Sequence, residues 1–219
     1  MYMADHVQDT VIQAQTAAAE KRRAGGASRW RALELGLLIC AAGLLIGSMF
    51  LPYWGITLFA PQYPKGLHVL AYVDRLTGDV REVDGLNHYI GMMKLDDAAQ
   101  LERSISRIAI PIIAVLAVAS FWVKGRWKWL LIVPIVIYPI VFVGDLFGWL
   151  YYAGHSLDPH AALSSSIKPF TPRIIGTGTI GQFRTHAEFQ SGFFLSVLAA
   201  VLAVIAPMLR RAANNGSRG

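Results

Sequence analysis

The sequence predicts an all-α membrane fold, a four-transmembrane-helix bundle with a small β-containing extracytoplasmic domain between helices 1 and 2. Four long apolar stretches, each bounded by charges or by Gly and Pro, predict the helices. The polar segment between the first two stretches predicts the domain, because it mixes β-branched and aromatic residues with turn residues. The distribution of Lys and Arg predicts the side of the membrane on which each segment lies.

Each predicted span is long enough to cross a bilayer core about 30 Å thick, which takes about 20 apolar helical residues. The spans are residues 33–51, 105–123, 129–152 and 189–209. No Ala-x-Ala cleavage pattern follows the first of them, so we expect it to be an uncleaved anchor. The other segments are a cytoplasmic N-terminal tail 1–32, an extracytoplasmic β-containing loop domain 52–106, a cytoplasmic link 124–128, an extracytoplasmic loop 153–190 and a cytoplasmic tail 210–219.

Basic residues are concentrated in three segments, and short cytoplasmic flanks of membrane proteins show this enrichment. The sequence therefore predicts a multi-pass protein of the bacterial inner membrane with both termini in the cytoplasm. The net charge of +6 is explained by cations beside the anionic inner leaflet, so the lipid bilayer is the expected partner and no nucleic acid is expected. The residues are Lys21, Arg22, Arg23, Arg29 and Arg31 before the first span, Lys124, Arg126 and Lys128 in the link, and Arg210, Arg211 and Arg218 in the tail.

The two outer segments differ in composition. In the first, residues 53–60 and 68–74 are predicted strands, and Thr77-Gly78-Asp79 is a turn pattern before a third candidate strand at 80–83. Residues 96–107 are predicted to form a short helix that leads into the membrane. The second outer segment contains several prolines and glycines, which predict irregular structure.

Asp145 is the one clear acid within a predicted span. A carboxylate at membrane depth is costly unless it is paired or reached by water, which makes Asp145 a candidate functional residue. Two interpretations remain open. Asp145 is either held structurally, by water or by a cation such as Arg107, or it takes part in proton or ion handling.

His88, Met92 and Met93 form the densest group of soft metal ligands in the outer segments. Imidazole and thioether groups bind copper, and thioethers select Cu(I). In a continuous helix His88 and Met92 would share a face at positions i and i+4, although Gly91 weakens such a helix. Core filling by the methionines is the competing interpretation. Cys40 is the single cysteine, which excludes a disulfide or a cysteine-built zinc site within one chain.

Five strings in the outer segments carry a resemblance. They are Leu51-Pro52-Tyr53-Trp54-Gly55-Ile56-Thr57-Leu58-Phe59-Ala60-Pro61-Gln62-Tyr63-Pro64-Lys65-Gly66-Leu67, Thr77-Gly78-Asp79-Val80, Leu86-Asn87-His88-Tyr89-Ile90-Gly91-Met92, Lys168-Pro169-Phe170-Thr171-Pro172 and Ile180-Gly181-Gln182-Phe183. The chain resembles the NosB-like polytopic membrane proteins encoded with atypical nitrous oxide reductases and copper-maturation genes. The resemblance implies a setting in copper-dependent respiration or copper delivery, and it carries over no catalytic residue.

Three functions are compatible with these observations. The first is a non-enzymatic accessory protein that docks an extracytoplasmic copper enzyme, a maturation factor or an electron carrier. The second is a copper-binding or copper-transfer protein that uses outer-loop His and Met residues, and the third is a quinone-linked electron-transfer subunit with a pocket near Asp145. We favour the first. The expected docking residues are Pro61, Gln62, Tyr63, Pro64, Asn87, His88 and Tyr89.

Overall fold

The computed structural model describes residues 25–26, 28–162, 167–180 and 183–216, with side chains described as far as residue 213. Most of the predicted N-terminal tail thus lies outside the described residues. The described helices are α1 (Ser28–Ser48), α2 (Val80–Ile90), α3 (Gln100–Ala119), α4 (Trp127–His155) and α5 (Ser191–Gly216). The strands are β1 (Trp54–Ala60), β2 (Tyr63–Ala71), β3 (Leu76–Gly78), β4 (Gly176–Ile180) and β5 (Phe183–Phe189).

Three of the described helices, α1, α4 and α5, are long and apolar enough to cross a membrane. They confirm a multi-pass membrane protein with a β-containing domain. The second predicted span, 105–123, corresponds to α3, which is 20 residues long but carries Glu102, Arg103 and Arg107 in its first turns. These charges shorten the apolar part of α3.

One apolar core joins α1, α3, α4 and α5. Alanines at many of the contact positions allow the helix backbones to approach closely, as in membrane helix pairs. Each of the four helices, including α3 with its shorter apolar part, therefore buries one face in this common core. The buried residues of this core include Leu38, Ala41 and Leu45 of α1, Ile110, Ala114 and Ala117 of α3, Ile132 and Ile135 of α4, and Ala199, Ala203 and Ala206 of α5.

A single five-stranded antiparallel sheet lies at one end of these helices, with the strand order β3-β2-β1-β5-β4. Strands β1, β2 and β3 come from the first outer segment, whereas β4 and β5 come from the second. The prediction that the second outer segment is irregular was therefore wrong, as was the placement of the β-containing domain between helices 1 and 2 alone. The strand pattern of β5 was missed because its alternation of buried and exposed residues follows a Gly-rich, Pro-rich stretch.

Two further local predictions fail. Residues 80–83, predicted as a strand, begin α2, because Val80, Val83, Leu86 and Ile90 recur at helical spacing and all are buried. Residues 96–107 are not one short helix: a 3-10 turn at Leu95–Asp97 precedes α3, which then continues without interruption to Ala119.

Helix α2 closes one face of the sheet. Its buried side chains pack against inward-facing residues of the sheet, which alternate along each strand as the pleat requires. The shared core consists of Val80, Val83, Leu86 and Ile90 of α2 with Ala60, Leu67, Val69 and Phe183 of the strands. None of the described elements covers the opposite face of the sheet, which is called the open face below.

Candidate functional site

Tyr53 joins the sheet to the helices. Its backbone N–H donates to the carbonyl of Ala71, and its carbonyl accepts from the N–H of Gln190, so it connects both outer segments. Its side chain is fully buried in the helical core, where the hydroxyl lies 2.6 Å from Ser48 Oγ. Burial raises the pKa of the Tyr53 phenol. The sequence predicted Tyr53 as the first residue of a strand at 53–60, and its role as an anchor was missed.

The two outer segments are also connected away from the sheet. The N–H of Asp158 donates to the carbonyl of Gly91 at 2.8 Å. Gly91 has a φ of 78° and ends α2, and a Cβ at this position would lie 2.7 Å from the Asp158 carbonyl oxygen. A glycine is therefore required here both for the backbone conformation and for the close approach of the second segment. The outer segments form one structural unit.

A row of polar side chains crosses the open face of the sheet. The cross-strand register aligns His68 of β2, Thr57 of β1, His186 of β5 and Thr177 of β4. The Thr57 hydroxyl lies 3.0 Å from His68 Nδ1, and the Thr177 hydroxyl lies 3.3 Å from His186 Nδ1. Each imidazole is thus oriented by the threonine on the next strand. We name His68, Thr57, His186 and Thr177 the histidine row.

The two imidazoles of the histidine row do not converge. His68 is held toward β1 and His186 toward β4, so both rings lean in the same direction across strands that are about 4.8 Å apart. His186 Nε2 lies 4.0 Å from Glu188 Oε2 on the same face, and both side chains are at least half exposed. The row therefore offers separate hydrogen-bonding groups to an external surface. A shared chelating pair is not formed.

The predicted copper ligands are dispersed by the end of α2. The helix stops at Ile90, so the condition for an i, i+4 face that holds His88 and Met92 is not met. His88 is exposed, while Met92 packs against the core between α2 and the sheet. Met93 is half-buried. Within the described ranges, no group of three or more His, Cys, Asp or Glu side chains is placed to hold a metal ion. Copper binding by His88, Met92 and Met93 stays a prediction.

The predicted docking residues fall into two places. Pro61, Gln62 and Pro64 are exposed at the tip of the β1–β2 hairpin, and His88 and Tyr89 are exposed on α2, which covers the closed face of the sheet. The remaining two are less available for contact. Tyr63 is half-buried against the sheet core, and Asn87 is buried, with a side-chain Nδ2 that lacks a hydrogen-bond partner among the described residues.

Asp145 lies within electrostatic range of a second acid, Glu102 of α3. Glu102 Oε2 is buried without a hydrogen-bond partner among the residues that the structure describes. Arg107 Nε lies 3.4 Å from Asp74 Oδ2. The described residues therefore pair Arg107 with Asp74 and not with Asp145. The role of Asp145 in proton or ion handling stays a prediction.

An apolar groove runs between α4 and α5 and reaches Gly144, the neighbour of Asp145 in the chain. Its volume is about 740 Å³, and its lining residues, among them Val136, Phe193 and Val201, are apolar. Binding a quinone carbonyl takes a hydrogen-bond donor, and the side chains that line this groove supply none. The groove gives no specific support to the quinone-linked function.

A buried carboxylate connects three helices at the end opposite the sheet. Glu34 of α1 is fully buried and forms ion pairs with Lys128 of α4 and, at 2.7 Å, with Arg210 of α5. In the sequence Glu34 appears as a charge at the edge of an apolar run, and nothing in that position identifies its partners.

No protein-family model matches this chain, and no curated protein matches it. The candidate site is therefore defined by its geometry alone. It consists of an open polar sheet at one end of the helices and a concentration of cations at the other.

Proposed function

We propose that this chain is a non-enzymatic membrane accessory protein that presents the open face of its sheet to an extracytoplasmic protein partner. The observation that carries the proposal is the histidine row, which two separate outer segments assemble on a face that no described element covers. Adjacent on this face are Arg184 and Glu188, whose side chains extend the polar surface. A surface of this chemistry suits a protein or water, and it does not suit lipid.

The membrane arrangement that we propose contains four spans, which are α1, α4 and α5 together with α3. Helix α3 shares the helical core, and its opposite face exposes a regular apolar stripe that suits contact with acyl chains. Its 20 residues cover about 30 Å, and its charges lie in the turns nearest the sheet. The exposed stripe consists of Leu101, Ile105, Ile108, Ile112 and Val115.

The orientation that we propose places the sheet outside the bacterial inner membrane and both termini in the cytoplasm. The N-terminal part of α1, the first turn of α4 and the C-terminal part of α5 meet at the Glu34 ion pairs. The basic flanks of all three segments therefore lie at one end of the molecule, where the positive-inside rule favours the cytoplasm.

The resemblance to the NosB-like group supports a partner from copper-dependent respiration, such as a nitrous oxide reductase-type enzyme, its maturation factor or an electron carrier. Copper binding by the chain itself is the alternative. It would use His88, Met92 or Met93 together with a histidine of the second outer segment. The docking function is favoured because the histidine row holds its rings apart, as separate contacts to a surface would require.

A photo-crosslinking residue at Arg184 tests the docking proposal in native membranes. We expect an adduct with an extracytoplasmic protein, identified by mass spectrometry as a copper protein or a factor that serves one. The double substitution His68→Ala with His186→Ala should weaken that adduct at least several-fold, because it removes the two oriented imidazoles of the row.

The matched control places the same photo-crosslinking residue at Glu82, an exposed charged position on α2 behind the closed face of the sheet. This position should give no adduct with the same partner. Equal capture from Arg184 and Glu82, or capture from Arg184 that is insensitive to the histidine substitutions, would refute docking through the open face.

A further inference from the structure

A basic pocket lies at the end of the helices opposite the sheet, between α1, the α3–α4 link and α5. It has a volume of about 420 Å³, within the range of about 300 to 1,000 Å³ typical of small-molecule sites. Five cations line it together with an apolar wall. The cations are Arg31, Lys124, Lys128, Arg210 and Arg211, and the wall contains Phe121, Trp122, Val123 and Pro207.

The charges of this pocket are not balanced by the described protein. Glu34 forms ion pairs with two of the five cations, Lys128 and Arg210, and so fixes their positions. Arg31, Lys124 and Arg211 form no ion pair with a carboxylate in the part of the chain that the structure describes. Three cations of the pocket therefore have no carboxylate partner among the described residues.

Aromatic rings hold two of these three cations in place. The Arg31 guanidinium lies 5.6 Å from the centre of the Phe121 ring, and the Arg211 guanidinium lies 5.7 Å from the centre of the Trp129 ring. Both distances are within the range of a cation–π contact. The guanidinium groups are consequently ordered before a ligand arrives, and guanidinium groups bind phosphate oxygens through paired hydrogen bonds.

The position and the lining of the pocket indicate which kind of phosphate compound would bind there. The pocket lies where the helices end, beside the exposed indoles of Trp122 and Trp127, which belong at the interface between acyl chains and headgroups. Its wall is apolar as well as cationic. A phospholipid matches both features, because a charged headgroup and an apolar chain meet at this depth.

The geometry points to a binding site for the headgroup of an anionic phospholipid in this pocket. The headgroup phosphate is bound by Arg31, Lys124 and Arg211, while the glycerol and upper acyl chain lie against Phe121 and Pro207. The bound lipid completes the ion network that Glu34 begins and so links α1, the α3–α4 link, α4 and α5. This inference rests on the four-span arrangement proposed above, and it does not depend on the docking partner.

The test uses the purified full-length chain in a neutral detergent, titrated with phosphatidylglycerol, with cardiolipin and with phosphatidylcholine, and native mass spectrometry counts the bound lipid. We expect both anionic lipids to bind more tightly than phosphatidylcholine. Lys124→Gln with Arg211→Gln should weaken their binding about 30-fold, since each cation near a lipid surface contributes roughly 1 kcal/mol. Equal binding of all three lipids to the unaltered chain would overturn the site.

The matched control is Arg29→Gln with Arg126→Gln, which removes the same charge from the same end of the molecule but outside the pocket. Because neither guanidinium lines the pocket, the hydrogen bonds to a headgroup phosphate are kept, and we expect a loss of less than about threefold. Equal losses of lipid binding in the two double variants would show that a diffuse cationic surface, and not the pocket, binds the lipid. If the first double variant fails to fold, Lys124→Gln alone, at an exposed link residue, should weaken binding about fivefold; no change there overturns the site.

Inorganic phosphate distinguishes a lipid from a soluble anion. We expect millimolar phosphate to leave bound phosphatidylglycerol in place, because it lacks the apolar part that contacts the wall. Displacement of the lipid at that concentration would assign the pocket to a soluble phosphate instead. The experiment needs no partner protein, so failure of docking leaves its outcome unaffected, while an error in the span arrangement would be exposed separately by accessibility labelling.

Discussion

One buried polar side chain lies near each end of the helices, and the two differ in charge. Near the sheet, the buried Tyr53 hydroxyl is satisfied by the neutral hydroxyl of Ser48. At the other end, the buried Glu34 carboxylate is satisfied by two cations. The cost of removing one partner differs accordingly, because a buried charge left without its counterion is much less stable than a lost neutral hydrogen bond.

Glu34→Gln should destabilise the purified protein by about 3 kcal/mol, because it leaves Lys128 and Arg210 facing a neutral amide in a largely buried site. Thermal unfolding in one detergent, with both proteins measured side by side, checks this value. Asp74→Asn is the control. Asp74 also pairs with two arginines, Arg75 and Arg107, but these are well exposed, so the loss should be below about 1 kcal/mol. Equal losses would contradict the structural role of Glu34.

At the scale of elements, α3 and the sheet show how composition and packing can diverge. Helix α3 carries three charges in its first turns and is not among the three described helices that are apolar enough to cross a membrane, yet it contributes Ile110, Ala114 and Ala117 to the common core. The sheet likewise depends on β5, which pairs with β1 from Arg184 to Phe189 although more than a hundred residues separate the two strands in the chain.

Val115→Lys tests whether α3 crosses the membrane. Val115 is 66% exposed near the middle of the predicted span, and a lysine at the centre of a span costs roughly 2.5 to 3.5 kcal/mol of insertion. We expect much less membrane-integrated protein after carbonate extraction. Ser104→Lys, at an exposed position near the sheet end of α3, should be tolerated. Equal tolerance of both lysines would remove α3 from the set of spans.

The two ends of the helices differ in chemical character. One end carries the sheet with its histidine row, and the other carries the converging basic flanks and the basic pocket. Partner docking and lipid binding are therefore proposed at opposite ends of the same helices. Tyr53 connects the sheet end to the helical core, and Glu34 connects the helix ends at the basic end.

Accessibility labelling tests the proposed orientation. In a chain with Cys40→Ala, single cysteines replace Lys65 on β2 or Arg126 in the link, both at exposed positions. A membrane-impermeant maleimide should label position 65 in intact spheroplasts and position 126 only after the membrane is opened. The reverse pattern, or labelling of both positions from one side, would contradict the arrangement in which the sheet and the basic end lie on opposite sides.

The sequence by itself determined that the chain belongs in a membrane, where its long helices lie to within a few residues, and that a β-containing unit accompanies them. Apolar length, turn residues and alternation are local properties, and a local window contains them in full. It also predicted a strand at 53–60, which corresponds to β1, and a strand at 68–74, which overlaps only the last four residues of β2. It failed at 80–83, where the helical spacing extends beyond the short window that suggested a strand.

Tertiary structure alone decided which distant residues meet. The histidine row requires strands from two outer segments, and Glu34 lies 94 residues from Lys128 and 176 from Arg210 in the chain. Neither arrangement has a signature at fixed spacing, because pairing of strands and packing of helices depend on the complementarity of whole faces. The candidate docking surface and the lipid pocket were therefore beyond prediction from the sequence, although every residue that forms them is visible in it.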